Sequence, residues 1–200
     1  MVLVALVNFA DLPPCNLSLP TKGVFMLFCN AALDFSNPKD RHAFNCVWLP
    51  EPLDLDIAEH SNEVPELGPP HVLSFEASYS VPLNMMPFGT ELNGDMSELL
   101  KRYLIKDQNK IQILGSVAEH FDILQEIAAF SGNGVSWSPA RRKDSCFSHL
   151  VDNAREWRLF LQLRGLPEYG LDLGNKSMNL MIRQEDLEAF RFEKAWLVVA

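Results

Sequence analysis

Phe44-Asn45-Cys46-Val47-Trp48-Leu49, near one end of the chain, and Phe192-Glu193-Lys194-Ala195-Trp196-Leu197, at the other, share a frame. Phenylalanine, tryptophan and leucine recur in both at an offset of 148 positions. Upstream of each, Leu12-Pro13 matches Leu166-Pro167 and Lys22 matches Lys176, both at an offset of 154. Matching landmarks in matching order predict one β-rich unit used twice, over about residues 2–50 and 157–199, with about 51–156 inserted between them. The expected class is α+β in a single domain over 1–200: two related units of antiparallel or mixed sheet from an internal duplication, with a few helices in the middle of the chain.

Working outward from those landmarks, each unit reads strand, Leu-Pro loop, strand, polar connection, strand. Val2 to Phe9 is a nearly unbroken apolar run, the pattern of a strand buried on both faces. Pro13 and Pro14 stop it, because proline cannot donate to a ladder. Gly23 to Cys29 and His42 to Leu49 complete the first unit; 157–163, 177–183 and 192–199 are the strands of the second. The first and third strands of each unit are expected to be fully buried and packed against the central helices. Between the units, Pro50, Pro52, Pro65, Pro69 and Pro70 make 50–70 an irregular acidic connection. An exposed strand is predicted over 71–81. Helices are predicted over 96–105, 117–130 and 146–155, the first two from capping-box patterns at Asp95/Glu98 and Ser116/Glu119. One or two helical turns are predicted over 184–189.

Composition bounds function mainly by exclusion. The chain has 200 residues, 48% hydrophobic and 22% charged, as folded globular domains do. Its 17 basic and 26 acidic side chains give a net charge of −9. A nucleic-acid binder needs a basic face, and Arg141-Arg142-Lys143 is too short to supply one. No apolar run reaches the roughly 18 to 20 residues of a bilayer-spanning helix, so no membrane partner is expected. Met1 to Val7 lacks the basic start of a signal peptide and reads as the opening strand. Cys15, Cys29, Cys46 and Cys146 show no metal-binding spacing, and most lie in or beside predicted strands, as buried thiols of a cytoplasmic protein would.

With the repeat in view, the chain resembles the YwqG-like family, a bacterial family of unknown function. The likeness rests on Val4-Ala5-Leu6-Val7-Asn8-Phe9-Ala10-Asp11-Leu12-Pro13, on Leu19-Pro20-Thr21-Lys22-Gly23-Val24-Phe25-Met26-Leu27-Phe28 and on Trp157-Arg158-Leu159-Phe160-Leu161-Gln162-Leu163. It continues through Met178-Asn179-Leu180-Met181-Ile182-Arg183, Glu185-Asp186-Leu187 and Phe192-Glu193-Lys194-Ala195-Trp196-Leu197. The family usually has glutamine where this chain has Leu6. It favours a Gly-Asp-any-Gly turn where this chain has Leu173-Gly174-Asn175-Lys176. The resemblance implies a fold and no activity.

The residues point to no catalytic, cofactor or metal set. His42, His60, His71, His120 and His149 are scattered, Cys146 and His149 lack an orienting third group, and Ser131-Gly132-Asn133-Gly134 follows a helix rather than opening one. What remains is surface. Glu51, Asp54, Asp56 and Glu59 form a carboxylate run suited to a basic partner, and Trp137 sits in a loop, where a bulky aromatic serves either packing or contact. The expected function is a non-enzymatic cytosolic binding protein with an acidic surface, of the kind that neutralises a basic partner as an immunity-type protein does. The alternative is an enzyme acting on a small molecule in the groove between the units. Partner, ligand and oligomeric state are not encoded legibly.

Overall fold

The computed structural model of the chain describes residues 1–14, 19–30, 38–51, 72–77, 111–115, 121–165, 173–174 and 176–200, the side chain of Asp40 excepted. Strand β1 (Val2–Asn8), β2 (Val24–Cys29) and β3 (Phe44–Leu49) form one antiparallel meander. A short β4 (Gln112–Ile113) joins β5 (Trp157–Arg164), β6 (Ser177–Arg183) and β7 (Trp196–Val199) in a four-stranded antiparallel sheet. Helix α1 (Phe121–Gly132) packs over β5, β6 and β7. The smaller helices are α2 (Pro139–Arg142), α3 (Ser148–Asn153) and α4 (Gln184–Glu188). The class is α+β.

Aromatic side chains join the two sheets. Phe160 meets Phe25 edge-on at 4.9 Å and Phe192 at 4.9 Å, and Phe9 stacks on Phe192 at 5.7 Å. Around this knot two contacts run in opposite senses. Trp48 on β3 lies edge-on to Phe192 of the second unit at 5.9 Å, while Trp196 on β7 lies edge-on to Phe44 of the first at 5.6 Å. Each such pair adds about 0.5–1.5 kcal/mol beyond its buried area. Arg41 closes the seam. Its guanidinium lies 4.4 Å from the Phe44 ring centre, its Nη2 donates to the Glu193 carbonyl at 2.5 Å, and its Nη1 donates to the Phe44 carbonyl at 3.3 Å.

Both meanders carry a bulge in their first strand, at Val4 between Leu3 and Ala5 and at Phe160 between Leu159 and Leu161. A bulge adds a residue and bends the strand. In β5 the extra residue is Phe160, a member of the aromatic knot. Gly23, at φ +99°, lets the turn before β2 lie against the end of β3. A Cβ there would stand 2.5 Å from the Leu49 carbonyl oxygen and 3.0 Å from Trp48 Nε1.

Several expectations are corrected. The strand predicted over 71–81 is absent where it is described. Residues 72–77 are neither helix nor strand, and Val72 is fully exposed with no ladder partner among the described residues. The third strand of the second unit starts at Trp196 rather than at 192, because β6 pairs it only over Met178–Met181 and Phe192–Lys194 closes a 3-10 turn instead. His42 and Ala43 likewise end a 3-10 stretch, Pro38–Ala43. The helix predicted over 146–155 breaks into α3 flanked by 3-10 turns at Ser145–Phe147 and Ala154–Glu156.

Full burial of the outer strands holds for only one unit. Apart from Arg158 and its last residue, β5 is buried, whereas on β1 Leu3 is 42% and Leu6 50% exposed. The cause is position: among the described residues β1 is an edge strand, and α1 covers the other sheet. The helix predicted over 96–105 lies outside the described residues, as does all of the 50–70 connection beyond Glu51.

Candidate functional site

A buried carboxylate paired with two side-chain donors lies where α1 meets the chain that follows it. The helix is buried over a wide arc, Leu124, Gln125, Glu126, Ala128, Ala129, Phe130 and Ser131, because it has structure on more than one side. On the sheet side, Gln125 Nε2 donates to the Trp157 carbonyl at 2.7 Å. Glu126 and Phe130, one turn apart, meet the excursion over 133–147.

That excursion is built by local chemistry. Gly134, at φ +76°, takes the left-handed conformation that ends a helix, and the Val135 N–H returns to the Phe130 carbonyl at 3.0 Å. Ser138 then caps α2, its Oγ accepting from the Arg141 N–H at 3.2 Å, with Pro139 at the first position where its missing N–H costs nothing. The turn thus formed aims two donors at one buried carboxylate. Trp137 Nε1 donates to Glu126 Oε2 at 3.1 Å, and Arg142 Nε donates to Oε1 at 2.9 Å and lies 2.8 Å from Oε2. The Glu126 side chain is 6% exposed and that of Arg142 48%. Burying a carboxylate is tolerated only when it is paired and hydrogen-bonded. Here both oxygens are.

Trp137 therefore uses its polar edge as an anchor and keeps its ring half-buried. Arg141 Nη1 donates to the Ser136 carbonyl at 2.7 Å, stiffening the same turn. Glu51, by contrast, is 78% exposed just beyond β3, in a loose 3.8 Å ion pair with Lys22. Asp54, Asp56 and Glu59 lie outside the described residues. Trp137 and Glu51 thus stand on separate elements, and no contact joins them among the described residues. Sequence reasoning passed over Glu126 and read Arg142 only as part of a short basic run. The available signal was a carboxylate set among Ile123, Ile127 and Phe130 on a helix.

Other buried polar side chains are paired in the same way, although the buried Trp48 Nε1 and Trp157 Nε1 have no hydrogen-bond partner among the described residues. Asp186 pairs with Arg191 Nη2 at 2.8 Å. Across the second sheet, Gln162 Nε2 donates to Asn179 Oδ1 at 2.8 Å, and Asn179 Nδ2 donates to Ser177 Oγ at 2.9 Å. Among the described residues the thiols are shifted toward the protonated form. Burial pushes Cys29 and Cys46 up to about 12. The exposed Cys146 is raised by a hydrogen bond with the Asp144 carboxylate and then by its charge. A nucleophilic cysteine needs the opposite shift, so the Cys146–His149 pair is not an activated one. Among the described residues, no three His, Cys, Asp or Glu side chains group as metal ligands do. No helix among them is long and apolar enough to cross a membrane.

A family model described as a domain of unknown function (DUF1963) matches residues 1–200. The chain belongs to that family. No curated protein matches it. DUF1963 membership spans both meanders and the segment between them, so the Glu126 latch lies within the family's domain rather than in an appendage.

Proposed function

We propose that this chain is a non-enzymatic binding protein of the cytoplasm, a YwqG-like member of its family, that holds a basic protein partner against an acidic surface beginning at Glu51 and continuing through Asp54, Asp56 and Glu59. The observation that carries the proposal is charge segregation. Residues 50–70 contain six of the chain's 26 acidic side chains and none of its 17 lysines and arginines. Complementary charge of this kind raises association rate and suppresses wrong partners. The Trp137 turn, held rigid by Glu126, is the second contact, since a preordered aromatic costs little entropy on binding. Neutralisation of a toxic basic partner, in the manner of an immunity protein, fits the same surface.

The buried carboxylates support the same view, because Glu126 and Asp186 each spend their charge on a half-exposed arginine of the same chain. Against an enzyme with its site between the units stand Phe9, Phe25, Phe160 and Phe192, which fill that junction. We also infer that the two meanders descend from one duplicated unit. The crossed contacts Trp48–Phe192 and Trp196–Phe44 support this, since they exchange equivalent positions, as do the paired bulges at Val4 and Phe160.

The test is capture from native cells with the full chain and with its Glu51→Gln, Asp54→Asn, Asp56→Asn, Glu59→Gln variant. The wild type should retain a basic protein at near-equal stoichiometry, and the variant should hold it about tenfold or more weakly, as expected from losing several rim charges of a few tenths of a kcal/mol each. Equal retention by both chains, or no stoichiometric basic protein on either, would overturn the proposal.

A further inference from the structure

No further inference is drawn: the strongest candidate, the half-open apolar outer face of the three-stranded sheet around Leu3, Leu6, Met26 and Phe28, carries nothing because none of the described residues shows what covers it.

Discussion

The two meanders follow one path and end in different surroundings. β5, β6 and β7 lie between the first sheet and α1, and the middle strand β6 is buried along its length except at its ends. β1, β2 and β3 share the aromatic knot on one face and leave Leu3 and Leu6 half open on the other. Similar apolar runs thus serve as a sealed strand in one unit and, among the described residues, as an edge strand in the other. Burial belongs to the neighbours of a strand, not to its composition alone.

The sharpest way to break this contrast is to cut the shared knot. Phe160 is fully buried and touches rings from both units. Phe160→Ala should cost about 3–5 kcal/mol in urea unfolding, whereas Leu6→Gln on the open face should change stability by under about 0.5 kcal/mol. Comparable losses from the two would mean that the outer face is as closely packed as the inner one.

Alkaline pH should act next. Cys29 and Cys46 titrate at about 12 when folded and from 9.0 when unfolded. The folded state keeps its thiol protons while the unfolded state loses them. The penalty is therefore absent below pH 9 and grows between 9 and 12, at about 1.4 kcal/mol per pH unit for each thiol. Wild-type stability should fall by roughly 2–3 kcal/mol by pH 10, and the Cys29→Ala, Cys46→Ala double variant should lose most of that slope. A slope unchanged in the double variant would contradict burial of these thiols in the first sheet.

A smaller effect is expected at the helix that seals the second sheet. Glu126→Ala leaves the Trp137 indole and the Arg142 guanidinium without their acceptor, for a loss of about 2 kcal/mol after allowing for the exposure of Arg142. Acrylamide quenching should show the loss of order at Trp137. Comparing the variant with its Trp137→Phe derivative isolates that signal from the other three tryptophans. A quenching profile identical to wild type would mean that the latch does not hold the turn.

Some of this was legible in the residues. Ser177 to Arg183 reads as a strand and is one to the residue, because its apolar run is bounded by polar ends and paired on both sides. The Trp48 and Trp196 frame pointed to the strands that carry them. Edge position was not legible, since Val2 to Phe9 shows the same apolar density whether or not a helix lies over it. Nor was the 3-10 turn at Phe192–Lys194, which depends on where β6 stops offering a partner. The Glu126 latch was hidden for another reason. Trp137 and Arg142 reach it only after Gly134 turns the chain, a return that helical periodicity cannot register.

Native-state hydrogen exchange tests most directly whether the two sheets stand or fall together on their common aromatic knot. The slowest amides of β2, at Phe25 and Leu27, and those of β6, at Leu180 and Met181, should exchange with one free energy equal to that of global unfolding. Exchange of the β2 amides at a clearly lower free energy, with β6 still protected, would contradict a single interlocked core.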